Sequence, residues 1–356
     1  MPGFGMTAAT GVSALVLLVL SFDGWADLGP SADRMAPAGD PVRSAGEWPA
    51  SDTPRRILLI TCDTLRADRL GCYGYENAQT PNIDGLARQG VMFKNHYVQA
   101  PATGPSHASI LTGRYPWEHR VVANGSKLRP EEVSLSEVFQ EQGYQTVAWI
   151  ACGILLARQG YDQGFDKFHD DLEWTPAWPE NHAEKQTEQA IAYFQSADRD
   201  ANIFAWLHYY DPHSPYWPPM DFRKQFMDDP EREVDTSRDR LSSIYWERIQ
   251  LAPFELEDLQ ALYDAEVAYM DAEIGRLLDA LREAQLLEDT LIVLTSDHGE
   301  ELYDHDCFIE HNLSLYEGVI RAPLIFWGKT VPTVQKTREA LTESVDVFQT
   351  LLSLPG

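Results

Sequence analysis

The sequence predicts an α/β fold in which a mostly parallel sheet is covered on both faces by helices. Three observations carry that prediction. Uninterrupted apolar runs at Ile57–Thr61, Ile203–His208 and Leu291–Thr295 have the length expected of strands buried on both faces. Segments with helical spacing alternate with these runs. The longest, Leu256–Leu281, repeats Leu259, Leu262, Val267, Met270, Ile274 and Leu278 on one face, which makes a long amphipathic helix.

Composition narrows what such a fold does. The 356 residues are 44% hydrophobic and 11% aromatic, enough for a large core in one α/β domain or two smaller ones. Fifty-five acids against 28 bases give a formal charge of −27. That balance speaks against nucleic-acid binding and against attraction to an anionic membrane, both of which need clustered Lys and Arg. The acids either solvate the surface or, in part, hold a metal. Cys62, Cys72, Cys152 and Cys307 follow no CxxC pattern and read mostly as buried thiols, with oxidised pairing left open.

In chain order, Val12–Leu20 is a nine-residue apolar run, too short for a stable membrane span. Gly24-Trp25-Ala26 follows it as a small-x-small site, so residues 1–26 read as a secretory signal and the chain as exported, to the periplasm or outside the cell. No Lys or Arg precedes the run, and no Cys follows closely enough for a lipid anchor. Residues 27–54, rich in Pro, Gly, Ala, Ser and Asp, read as a flexible tether to a domain at 55–356. Within it, Thr80-Pro81-Asn82-Ile83-Asp84 caps a helix ending at Gln89. Val133–Glu141 and Glu184–Phe194 are further helices, and Thr146–Ile150 is a strand. Pro323–Trp327 reads as the last strand and Val345–Leu354 as the last helix.

Polar clusters mark where the chemistry lies. Ala100–Gly113 reads as a Pro/Gly loop delivering the Thr103 hydroxyl to a short helix, capped by Ser106, running through His107–Leu111 and closing at Thr112-Gly113. A helix N-terminus there suits an anionic ester. Three apolar runs end in Asp63, in the Asp211/His213 pair and in the Asp297/His298 pair, and strand ends of an open α/β sheet converge on ligands. Asp63, Asp297, His298 and the Thr103 oxygen make a ligand set for a metal that would activate the Thr103 hydroxyl. His213, on the stiff Asp-Pro-His-Ser-Pro-Tyr loop, suits a donor to the ester's non-bridging or leaving oxygen. Of His305 and His311, His311 is the candidate for the site, because Leu315-Tyr316 and the strand at Pro323–Trp327 anchor its loop.

Cys62-Asp63-Thr64-Leu65-Arg66-Ala67-Asp68, Thr80–Asp84, Pro105–Gly113, Asp211–Tyr216 and Ser296-Asp297-His298-Gly299-Glu300 together resemble the successive motifs of the sulfatase family, in the alkaline phosphatase superfamily. The resemblance runs from Arg55 to the end. It implies an α/β/α sandwich, a divalent metal at Asp63, Asp297 and His298, a nucleophile at position 103, and substrate contacts from His213 and His311. Two departures matter. Formylglycine sulfatases carry Cys or Ser at the nucleophile position and Arg four residues on; here stand Thr103 and His107, so His107 is expected against the substrate. The Gly-Lys-Trp-His segment of many sulfatases is replaced by Thr146–Gly153, TVAWIACG.

Thr103 is similar instead to the unmodified Thr that the superfamily's phosphodiesterases and phosphoglycol transferases phosphorylate transiently. The expectation is a metal-dependent hydrolase of sulfate or phosphate esters with a Thr nucleophile. A phosphoglycol- or phosphoethanolamine-type transferase acting on a glycan or lipid, and a catalytically silent binding protein, are the alternatives. The imidazole of His298 turns the expected metal preference from calcium toward manganese or zinc. Relatives usually continue beyond the position of Gly356 into a small C-terminal subdomain.

Overall fold

The structure, a computed structural model, describes residues 54–172, 183–305, 309–331 and 336–353. The expected signal at 1–26 and all but the last residue of the expected tether lie outside the described residues. The strands are β1 (Arg56–Cys62), β2 (Val91–Tyr97), β3 (Gln145–Trp149), β4 (Lys167–His169), β5 (Ile203–Tyr209), β6 (Thr290–Ser296), β7 (Glu301–Leu302), β8 (Ile309–Glu310), β9 (Leu324–Trp327) and β10 (Thr337–Glu343). The helices are α1 (Pro81–Gln89), α2 (Thr103–Thr112), α3 (Pro116–His119), α4 (Leu135–Glu141), α5 (Ala183–Ser196), α6 (Met220–Phe226), α7 (Arg238–Trp246), α8 (Pro253–Glu283), α9 (Glu317–Ile320) and α10 (Val345–Ser353). Among the described residues no helix is long and apolar enough to cross a membrane.

One sheet runs β10-β2-β9-β6-β1-β5-β3-β4, and β7 pairs with β8 apart from it. Every neighbour in the large sheet is parallel except β9, which is antiparallel to both β2 and β6. The expected mostly parallel α/β sheet is therefore what forms. Successive side chains of a strand point to opposite faces, so the apolar runs feed two cores. Leu58, Ile60 and Cys62 of β1 pack with α1, α5 and α8 on one face. Ile57 and Leu59 pack with α2, α4 and α10 on the other. Each such side chain, fully buried, contributes about 1.5–3 kcal/mol.

Three strands of the large sheet escape an apolar-run reading. β2 carries Lys94, Asn95 and His96, β4 is three residues long, and β10 (TREALTE) is a half-exposed edge strand with a bulge between Arg338 and Leu341. Edge strands need little apolar signal, and charge on them discourages pairing with other chains. The short helix also starts earlier than expected. Ala102 is extended and Ser106 N–H already bonds to Ala102 O at 3.1 Å, so α2 begins at Thr103 and Ser106 lies inside its first turn. Its hydroxyl is not a cap; it donates to Asp297 O at 2.5 Å.

The register fixes what matters for function. Cys62, the last residue of β1, lies opposite Tyr209 of β5 on one side and Ser296 of β6 on the other. Three central strands thus end level, and their following residues share one edge.

His96 offers a test of the β2–β10 edge. It is fully buried, with Nδ1 3.1 Å from Thr342 Oγ1 and Nε2 3.4 Å from Ser344 Oγ, and burial lowers its pKa to about 3. A histidine whose folded pKa is depressed supports the fold while neutral. Its contribution is present above the unfolded value of 6.5 and drains away as pH falls toward about 3. Urea unfolding from pH 7 to 4 should therefore show an acid slope that His96→Gln reduces, by up to about 1.4 kcal/mol per pH unit. An unchanged slope would contradict this account.

Candidate active site

The turn after β1 is forced into shape. Thr64 has φ 57°, a left-handed conformation that costs a β-branched residue of order 1–3 kcal/mol. Tyr263 of α8 holds it there, donating from its hydroxyl to Thr64 O at 2.8 Å and accepting from Arg66 N–H at 2.9 Å. Thr64 N–H then points to Asp297 Oδ1 at 3.3 Å, which ties the end of β1 to the end of β6. After β6, His298 N–H donates to the same oxygen at 2.9 Å. Gly299 N–H donates to Val319 O at 2.7 Å, and a Cβ at Gly299 would fall 2.0 Å from Gly318 O. Only glycine allows that approach. His298 Nδ1 lies 3.0 Å from Gly299 O, so it carries the proton and leaves the Nε2 lone pair facing the carboxylates.

Asp63, Asp297 and His298 are all fully buried, and one ligand atom from each lies within 4.8 Å of the others. His298 Nε2 is 3.3 Å from Asp297 Oδ2, 3.8 Å from Asp63 Oδ1 and 3.5 Å from Thr103 Oγ1. Asp63 Oδ1 and Oδ2 and Asp297 Oδ2 accept no hydrogen bond of normal geometry. The ion-pair neighbours of the two carboxylates are histidines: His208, His298 and His107. Burial first, then the charges of Asp297 and Glu300, hold the Asp63 carboxyl well above its usual range, while the Thr103 hydroxyl facing it pulls the other way. Asp297 is pushed up to about 6, also by burial, with His107 and the backbone N–H groups of His298, Thr64 and Asp297 itself opposing. Burial lowers His298 to about 4, which keeps its imidazole neutral. Orphaned oxygens, a free imidazole lone pair and desolvated like charges fit a divalent cation.

His208, at the end of β5, was not singled out by sequence because it sits inside an apolar strand. It is fully buried, 3.7 Å from Asp63 Oδ2, and no neighbouring residue hydrogen-bonds its ring. A polar residue at the last turn of an otherwise apolar run was the available signal.

Thr103 occupies the first position of α2 and is 2% exposed. Gly104 behind it is gripped on both backbone groups, N–H to Asn124 Oδ1 and C=O from the Tyr161 hydroxyl, each at 2.8 Å. His107 departs from expectation. It is fully buried, with Nδ1 2.8 Å from Thr103 O and Nε2 3.1 Å from Thr61 Oγ1, so neither nitrogen is left for a substrate. It braces the first turn of α2 against β1 instead.

His213 and His311 face the cluster. The His311 ring lies 4.4 Å from that of His298 and 4.9 Å from that of His213, which stacks on Tyr210 at 4.4 Å. His213 Nδ1 bonds to Ser214 O, turning Nε2 outward. His311 Nδ1 lies 3.0 Å from Glu300 Oε1, a carboxyl whose pKa burial raises to about 8 against the pull of His298 and Arg66. Glu300 is a second residue that the sequence reading did not assign. His305 is elsewhere, bonded to Glu301 Oε2 at 3.0 Å and stacked on Tyr316. Beside Gly104 stand Asn124, Tyr161 and Ile154, the last just after the Thr146–Gly153 segment, so its neighbours are neutral rather than cationic.

Residues 55–356 match the family model for sulfatases. The chain belongs to the sulfatase family. Its sulfatase relatives include human iduronate 2-sulfatase, 28% identical over 84% of this chain and 65% of that protein, so the chain spans somewhat under two thirds of that relative's length. The sulfatase fold is shared with the phosphonate monoester hydrolase of Agrobacterium radiobacter, at a TM-score of 0.68 and 22% identity over 84% of this chain and 74% of that one. It is shared as well with a protein solved in complex with its substrate D-glucosamine-2-N,6-O-disulfate, at a TM-score of 0.69 and 22% identity over 85% and 77% of the two chains.

The glycine contact that aims the sulfatase Asp297-His298 pair is testable. Gly299→Ala should cost about 1–3 kcal/mol through overpacking against Gly318, read as a lower urea midpoint at unchanged m-value. A variant as stable as the parent would show that the backbone approach is not tight.

Proposed function

We propose that the chain is a metal-dependent hydrolase of sulfate or phosphate esters in which the unmodified Thr103 hydroxyl is the nucleophile. The observation that carries this reading is the Thr103 Oγ1 at the start of α2, set against Asp63, Asp297 and His298 with orphaned carboxylate oxygens behind it. Asp63, Asp297 and His298, with the Thr103 oxygen, would hold one divalent ion. That ion supplies positive charge that lowers the hydroxyl pKa and offsets the charge of the ester.

The side chains divide the remaining work. The N-terminus of α2 favours negative charge at Thr103. Thr103 Oγ1 forms a bond to sulfur or phosphorus as the bond to the alcohol oxygen breaks, and water then hydrolyses the Thr103 ester. The proton released by the Thr103 hydroxyl passes to the leaving oxygen through His213 Nε2, the nitrogen left unprotonated because Nδ1–H is held by Ser214 O. His311, whose Nδ1 accepts from the protonated Glu300 carboxyl, donates from Nε2 to a non-bridging oxygen. His107 and Gly104 keep the hydroxyl in place. An unmodified alcohol gives no geminal diol from which sulfate could be eliminated, so we favour phosphorus esters in the chemistry. Iduronate 2-sulfatase and the protein bound to D-glucosamine-2-N,6-O-disulfate point to sulfated sugars as the organic part. Export rests on residues 12–26 alone, outside the described structure.

A turnover panel of aryl sulfate, aryl phosphate, phosphodiester and phosphonate esters tests the reaction. At least one series should turn over, and Thr103→Ala should leave no more than trace activity with unchanged unfolding. Persistent activity in the Ala variant would assign the nucleophile to another group.

The metal is tested without turnover. Manganese or zinc at about 100 times Kd should stabilise the protein by about 2.7 kcal/mol, and Asp63→Asn or Asp297→Asn should abolish that gain. Equal stabilisation of parent and variants would place the ion elsewhere, and a gain from calcium alone would overturn the preference drawn from the His298 imidazole.

A further inference from the structure

Positive charge is scarce around this site. The neighbours of Gly104 are the neutral side chains of Asn124, Ile154 and Tyr161, and Arg66, behind Glu300, is consumed by Asp68 at 2.7 Å, Asp304 at 2.5 Å and Glu300 O at 3.0 Å. The exception is Arg238. It opens α7, where the helix dipole disfavours a cation, and it is exposed. Among the described residues no carboxylate forms an ion pair with it, although acids outnumber bases 55 to 28 along the chain.

Its position relative to the site follows from how α7 docks. Ser242, one turn further along the same face, donates from Oγ to Glu310 Oε1 at 3.3 Å. Glu310 adjoins His311 in sequence, so the face of α7 that carries Arg238 packs on the segment leading into His311. The electrostatics agree. After burial and neighbouring imidazoles, the Arg238 charge lowers the pKa of His213 and His311, and it opposes the burial that raises Tyr210 and Glu310. These groups come from two separate segments, the one after β5 and the one at β8, and the Arg238 charge acts on both.

We propose that Arg238 is a second anion-binding position, selecting esters whose alcohol portion carries a further acid group, a carboxylate or another sulfate or phosphate. The inference rests on the reading of the Thr103 cluster as an anionic-ester site. The scissile group sits at Thr103, His213 and His311, and the second acid group reaches across the histidines to the guanidinium. An exposed guanidinium that forms no ion pair among the described residues meets a carboxylate or sulfonate as a two-pronged donor without first breaking one.

Inert sulfonates test this independently of turnover. Calorimetry in the presence of manganese should show 3-sulfobenzoate or benzene-1,3-disulfonate binding roughly tenfold tighter than benzenesulfonate, the worth of one charge-assisted contact. The two dianions distinguish a carboxylate from a sulfonate as the preferred second group. Arg238→Gln should collapse the dianion preference, Arg238→Lys should restore part of it, and Arg240→Gln, a neighbouring arginine paired with Glu255, should keep it. In whichever ester series turns over, Arg238→Gln should raise KM for a carboxyl-bearing aryl ester more than for the plain one, with kcat less affected. No dianion preference in the parent, or a preference surviving Arg238→Gln, overturns the proposal. An absence of turnover in every ester series counts instead against the reading of the reaction.

Discussion

Two carboxylates, Asp63 and Asp297, are held side by side where water is excluded, and the surrounding structure follows from the need to keep them there. Left alone, such a pair repels itself and loses its hydration. The fold opposes this with covalent placement: β1, β5 and β6 end level, so the first residue after β1 and the first after β6 have nowhere else to go. Tyr263 pins the turn after Asp63, and the Gly299–Gly318 approach pins the turn after Asp297. Without these clamps the carboxylates would swing toward solvent. The strain at Thr64 reflects this confinement.

Around that pair the site is assembled from imidazoles instead of fixed cations. His208, His298, His213, His311 and His107 are each held neutral, in the first place by burial. Their functions separate by which nitrogen is left over. His107 spends both nitrogens on Thr103 O and Thr61, so it stiffens α2. His298 spends one on Gly299 O and keeps the other for the cluster. His311 is polarised by Glu300. Residue type alone does not distinguish these roles; the second hydrogen bond does.

That is also where legibility in the sequence ends. The buried strands announce themselves because a parallel strand covered on both faces must be continuously apolar, and an acid immediately after such a run is conspicuous. Asp63 and Asp297 were therefore readable, and the five ordered motifs made the family readable. The partner of His107 was not, because Thr61 is 46 residues away and only the sheet brings it near. Glu300 is part of a motif in the sequence, but its role is not legible there, because its partner His311 is brought to it only by the fold. β10 was invisible for the opposite reason to β1: an edge strand facing solvent needs no apolar pattern. Arg238 carries no local signal in the sequence, since the groups its charge acts on follow β5 or lie at β8 and beside it.

The central place of β1 has a consequence for how the chain is made. It is the first strand of the described domain to emerge in synthesis, yet its two neighbours are among the later ones, and Cys62 meets Ser296 across 234 residues. Until β5 and β6 exist, the Ile57–Thr61 run has both edges unpaired. At about 5–20 residues per second, the wait for β6 lasts roughly 10–50 s. During that time the segment has the character of an aggregation-prone strand: apolar, uncharged along Ile57–Thr61 and open on both sides. Over that interval the strand that ends at the buried carboxylate is also the one most open to pairing with another chain.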